Sequence, residues 1–111
     1  MKKRRKAMEE GFKAMCKALR ISPELVRSRV RTQDVSDKRT AIAYALLAEG
    51  YSVYEVAEAV CRNRTTVLSC ARRVNAWHKV RSYYNQMDFV DRAQEALRRT
   101  DEGKEEQVPT D

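Results

Sequence analysis

Between Ser52 and Val74 the apolar residues fall into two short helical stripes with three residues between them, and few folds accept that arrangement. Ser52-Val53-Tyr54-Glu55 has the form of a capping box, in which the Ser hydroxyl and the Glu carboxylate each satisfy a backbone N–H left free by the first turn. Val53, Val56, Ala57 and Val60 then recur at the spacing of a helix with one apolar face. Cys61-Arg62-Asn63 reads as the turn, and Asn63 suits the N-cap of the next helix. There Val67, Leu68, Ala71 and Val74 make the expected buried face, extended by Trp77. A short capped helix, a tight turn and an immediate second helix make a helix-turn-helix over residues 52–76.

The rest of the chain keeps the helical period. Met8, Phe12, Met15, Cys16 and Leu19 make one stripe on a helix over about 3–19, which Gly11 weakens slightly. Ser22-Pro23-Glu24 supplies an N-cap hydroxyl and a proline at the first helical position, so a short second helix packs Leu25 and Val26 on the first. The stretch 27–31 alternates Arg with Ser and Val and reads as a basic edge or loop. A third helix starts between Asp34 and Asp37, buries Ile42, Ala45 and Leu46, and ends at Gly50. A last helix turns Met87, Val90, Ala93 and Leu97 inward, after a continuation or a break near 82–85. Residues 100–111 lack periodicity and are expected to be a disordered acidic tail. With only 3 Gly and 2 Pro there is little material for hairpins, so the expected fold is all-α, five to six helices in a single domain over 1–99.

Charge narrows the partner. Residues 1–80 hold 18 Lys/Arg against 8 Asp/Glu, and residues 81–111 hold 5 against 8. A basic domain attracts polyanions, nucleic acid first and an acidic membrane surface second. Lys2–Lys6 adds non-specific charge; it begins like the start of a secretion signal, but no apolar stretch follows. Three cysteines without a C-x-x-C pair, and one histidine, suggest neither a disulfide scaffold nor a metal site, and no cofactor is expected. Reduced, buried cysteines fit a cytoplasmic protein, and a nucleic-acid partner would make it nucleoid-associated. Asp34 and Asp37 read as capping groups, Cys61 has no general base in view, and His78 reads as a surface residue, so no enzyme is expected.

The polar face of the second helix of the motif carries Arg64, Thr65, Thr66, Ser69, Arg72 and Arg73, with no carboxylate. A merely solvated helix usually mixes both signs. Arg can bond guanine through two N–H groups, the Thr methyl can touch the thymine methyl, and Asn can read adenine.

The run Arg62-Asn63-Arg64-Thr65-Thr66-Val67-Leu68-Ser69-Cys70-Ala71-Arg72-Arg73-Val74 resembles the signature of the C-terminal DNA-binding domain of DnaA, the bacterial replication initiator, which opens R-D-H-S/T-T-V. Ser52-Val53-Tyr54-Glu55-Val56-Ala57 is similar to that family's preceding helix, and Lys38-Arg39 to the basic residues ahead of its Ala-rich helix. The resemblance covers about residues 16–97 and implies a helix-turn-helix of the Trp-repressor-like type. It implies a minor-groove role for Arg39 beside Lys38, and a place near the backbone for Arg62. It implies base contacts for Asn63, Arg64 and Thr65, a phosphate contact for Thr66, approach to DNA for Ser69, and a basic pair in Arg72 and Arg73. Asn63, Arg64 and Ser69 stand where the family has Asp, His and His, so the base-facing surface differs from the initiator's. No Walker A motif is present, so ATP-driven origin melting falls outside this chain.

The expected function is therefore sequence-specific binding of double-stranded DNA, as a replication-accessory factor or transcriptional regulator of bacterial, phage or mobile-element origin. The alternative is a basic interaction module docking an acidic partner of the replication or transcription machinery. RNA is a weaker candidate, because the tyrosines do not form a stacking platform near the basic stripe. Tyr83, Tyr84, Met87, Phe89 and Val90 either cap the core or make a dimer face on the 83–97 helix; a monomer is expected.

Overall fold

The computed structural model describes residues 2–107, with side chains described over 5–100. Six α-helices follow in order: α1 Lys2–Ala18, α2 Pro23–Arg27, α3 Gln33–Ala48, α4 Val53–Val60, α5 Arg64–Lys79 and α6 Tyr84–Gln107, with a 3-10 turn at Arg81–Tyr83. Among the described residues there is no strand, so the fold is all-α as expected. No helix among them is long and apolar enough to cross a membrane.

The local signals work as their chemistry dictates. The Ser22 hydroxyl accepts from the Leu25 N–H, with Pro23 opening α2. The α3 chain stops at Gly50, whose φ of 107° lies in the region open to glycine; the Tyr51 N–H returns to the Leu46 carbonyl at 3.2 Å and closes the helix end. The break after α5 falls at Val80, whose extended backbone ends the helix. Trp77 then meets Tyr83 across the break, ring centres 6.3 Å apart.

Phe12, Met15, Val26, Ile42, Leu46, Val56, Val60, Val67, Val74, Val90 and Leu97 are fully buried. α3 is the central helix, packed against α5 and α6, and α6 also lies along α1. Each buried aliphatic side chain contributes about 1.5–3 kcal/mol through area removed from water, before the entropy of ordering it is set against it. Gly11 has a structural reason to be small, since a Cβ there would run into Leu97 of α6.

Three expectations change. Leu68 is 46% exposed and Cys70 takes its place inside, so the buried stripe of α5 is Val67, Cys70, Val74 and Trp77. Asp37 is not a cap but a buried cross-link, accepting from Gln33 Nε2 at 2.7 Å and from Gln86 Nε2 of α6 at 3.2 Å. α6 continues to Gln107, through positions read as a structureless tail. Its Glu, Lys and Gln content favours helix even without an apolar stripe, and extending an existing helix avoids the cost of nucleation. Residues 108–111 lie outside the described residues. On the 83–97 segment, Val90 is buried and Met87 and Phe89 pack partly against the core, while Tyr84 is exposed.

Candidate nucleic-acid interface

The α4–turn–α5 unit is held at both helix starts. Ser52 Oγ accepts from the Glu55 N–H at 3.1 Å, and Glu55 Oε1 accepts from the Ser52 N–H at 2.8 Å. Asn63 Oδ1 accepts from the Thr66 N–H at 2.8 Å and caps α5. Between them Cys61 adopts a left-handed conformation, φ 54° and ψ 47°, which lets the chain reverse within three residues.

With Val67, Cys70, Val74 and Trp77 turned inward, helical geometry turns the polar side outward. Arg64, Thr65, Ser69, Arg72 and Arg73 are all exposed, Asn63 is exposed at the cap, and Thr66 is half-buried. No Asp or Glu occurs anywhere in α5. Tyr54, on the first turn of α4, is 66% exposed beside this face and accepts a hydrogen bond from Arg64 Nη1 at 2.9 Å.

Two of the expected site residues are committed to other partners. Arg39 is 6% exposed, its Nε donating to the Val26 carbonyl at 2.7 Å and its Nη2 to the carbonyls of Ser28 and Val30 at 3.2 and 3.1 Å. Burial first, then the nearby Arg62, lowers its pKa from the ordinary arginine value. A guanidinium committed to three carbonyls does not reach into a groove, so the minor-groove role is withdrawn for Arg39. Lys38 pairs with Asp34 at 2.9 Å and lies 5.6 Å from the Phe89 ring centre on the α6 side, so it leaves the interface as well.

Arg62 stays at the interface but is partly committed. Its Nη1 donates to the Cys61 carbonyl at 2.9 Å, and its Nη2 donates to the Ser28 carbonyl. The basic edge of 27–31 also divides. Arg27 faces inward, donating to the Ala59 carbonyl and to Glu9, each at 2.7 Å, over the Phe12 ring. Arg29 and Arg31 remain exposed. At the chain start, Arg5 pairs with Glu58 at 3.4 Å and Lys6 is exposed, while the side chains of Lys2–Arg4 lie outside those described.

The sequence reading missed Ser36, Thr40 and Tyr54. Arg73 Nη1 donates to Ser36 Oγ and Thr40 Oγ1, both at 3.3 Å, which ties the polar face of α5 to α3. Ser36 and Thr40 stand one helical turn apart, a spacing visible in the sequence, yet what they face depends on how α3 and α5 pack. Tyr54 was legible only as an aromatic that the apolar stripe of α4 leaves out.

Among the described residues no cluster of three or more His, Cys, Asp or Glu could hold a metal ion. Compared with known proteins, the chain matches no family model, no curated protein and no solved structure.

Proposed function

We propose that this protein binds double-stranded DNA in a sequence-dependent way, with α5 lying in the major groove and its first turn at the base edges. One observation carries the reading: the whole solvent face of α5 offers cations, hydroxyls and an amide cap without a carboxylate, on a helix whose opposite face is buried. The rigid entry supports it, because a reading helix must arrive in one orientation. The likeness of residues 62–74 to the initiator's DNA-binding signature points the same way. The action is passive, a regulator of transcription or an accessory to replication that occupies a site and performs no chemistry.

Roles follow from exposure. Arg64, Thr65 and Asn63 face the bases. Thr66, Ser69, Arg72 and Arg73 follow the backbone, with Arg29, Arg31 and the remaining donors of Arg62 at the flank.

A binding titration against salt tests the reading. Arg29, Arg31, Arg72 and Arg73, with the remaining donors of Arg62, neutralise about five phosphates, which gives a log–log slope of about −4 to −5. Selection from a random duplex pool at physiological salt should enrich one motif, and the double variant R64E/T65E, one charge reversed and one acidic group added, should abolish binding to it. A flat salt response with no enriched motif would overturn the proposal. Capture of an acidic protein unaffected by R64E/T65E would then favour the interaction-module reading.

A further inference from the structure

A cleft of about 440 Å³ opens between α3 and α5, and four arginines line it: Arg31, Arg39, Arg62 and Arg73. Ser36, Thr40, Thr65, Thr66, Ser69 and Cys70 complete the lining, and no carboxylate is among them. A second hollow, lined by Arg29, Arg31, Cys61, Arg62, Asn63 and Thr66, shares three of these residues and continues the cleft towards the α5 cap. Like charges gathered in a concave, partly dry place repel one another more strongly than they would in water. Burial first, and then the charges of Arg62 and Arg31, lower the pKa of Arg39 in this wall.

The four arginines differ in freedom. Arg39 and Arg62 are fastened to the carbonyls of residues 26–30 and 61 and form a fixed wall. Arg73 is held only through Nη1, by two neutral hydroxyls at 3.3 Å. Arg31 is exposed at the mouth. The hydroxyls of Ser36 and Ser69 line the same cleft as neutral donors. Fixed positive charge, two adjustable guanidiniums and several hydroxyls suit a tetrahedral oxyanion with several acceptor oxygens.

We infer that the α3–α5 cleft is a preformed site for one phosphate group, closed by Arg31 and Arg73 against the wall of Arg39 and Arg62. The phosphate has two possible sources, a nucleic-acid backbone or a free phosphate ester. Only the first source rests on the DNA-binding reading; the site itself stands on the cleft.

The test uses the full chain and inorganic phosphate, with chloride at matched ionic strength as the control. Phosphate should raise Tm saturably beyond chloride, as expected of a ligand that binds only the folded state. It should also shift the amide resonances of residues 36–40 and 65–73. R73M and, separately, R31M should weaken phosphate binding at least tenfold. Because Arg31 is exposed, R31M keeps the test valid if R73M perturbs folding. Equal stabilisation by phosphate and chloride, or wild-type phosphate affinity in R31M, would overturn the inference.

A second arm separates the sources. If the backbone supplies the phosphate, a short duplex displaces inorganic phosphate, and R31M lowers the salt slope for DNA by about 1. If a free ester supplies it, ribose 5-phosphate outcompetes inorganic phosphate and the duplex does not. Failure of the chain to bind any duplex would sink the DNA reading and leave the phosphate titration to decide the site.

Discussion

Arg64 Nη1 donates to the Tyr54 hydroxyl at 2.9 Å while the guanidinium lies 4.8 Å from the centre of the same ring. The first residue of α5 is thus restrained by the first turn of α4. An unrestrained arginine surrenders up to about 2 kcal/mol of rotamer entropy when it is fixed. Tyr54 takes part of that loss in the free protein and leaves the other N–H groups of Arg64 available for one base edge. We expect Y54F to reduce the preference for guanine at the Arg64 position about three- to tenfold, and Y54A more, with the salt slope unchanged. Competition between duplexes differing at that base pair measures it. Equal discrimination in wild type and Y54F would show that Tyr54 does not order Arg64.

Arg39 makes a different prediction from the one its place in the sequence suggests. Removing the side chain leaves the carbonyls of Val26 and Val30 without their donor and the Ser28 carbonyl with Arg62 alone. R39M should cost about 3 kcal/mol in urea unfolding, the range for stripping a charged partner from buried acceptors. R39K should cost nearly as much, because an ammonium cannot span the three acceptors as a fork does. DNA affinity of the folded fraction should fall no further than in R31M, because Arg39 lends the α3–α5 cleft fixed charge and reaches no base. A large loss of affinity at unchanged stability would return Arg39 to the interface.

Cys61 occupies a backbone region that ordinarily favours glycine. The left-handed conformation costs a side-chain-bearing residue about 1–2 kcal/mol, and glycine costs about 0.5–1 kcal/mol more to order from the unfolded chain. C61G should therefore stabilise the protein by about 0.5–1 kcal/mol, read as a higher urea midpoint at constant m-value. Destabilisation would mean that the weak contact from Sγ to the Glu58 carbonyl at 3.9 Å matters more than the backbone.

The three thiols should separate in a labelling experiment. Cys61 is exposed, whereas Cys16 and Cys70 are buried, so one equivalent of iodoacetamide reacts promptly at pH 8 and two wait for unfolding. Burial pushes the Cys16 thiol from 9.0 up to about 11, with Arg27 opposing and Glu9 assisting. Burial also raises Cys70, against the hydrogen bond from Thr40. The folded state therefore holds these protons more tightly than the unfolded chain does. Their contribution to stability is whole below pH 9 and is lost above it, that of Cys16 as pH climbs towards 11. Urea midpoints across that window should fall less steeply in C16A than in wild type, and parallel curves would contradict the shift.

Much of the fold was legible because its punctuation is local. Ser22-Pro23, the Ser52/Glu55 box, Asn63 and Gly50 each act on their own backbone within a turn, and all four are found at their stations. The α5 face was legible from its composition, since a helix without a carboxylate has few ways to hide charge. The errors share a cause. Leu68 and Cys70 both border the Val67/Val74 stripe, and only the position of α3 decides which enters. Arg27, Lys38 and Arg39 looked like surface charge, but their partners are carbonyls, carboxylates and rings set by tertiary packing. The sequence does not show which arginine will find a carbonyl 13 residues away.

The Ser28 carbonyl accepts from both Arg39 and Arg62, so one oxygen joins the central helix to the α4–α5 turn, 34 residues further along the chain. Surface loops ordinarily tolerate added residues. This one is a gauge: a single insertion between 27 and 32 would draw the oxygen away from two guanidiniums at once and alter the tilt at which α5 leaves the body. Changing loop length is therefore a way to re-aim the exposed face of α5 with every residue on that face left as it is.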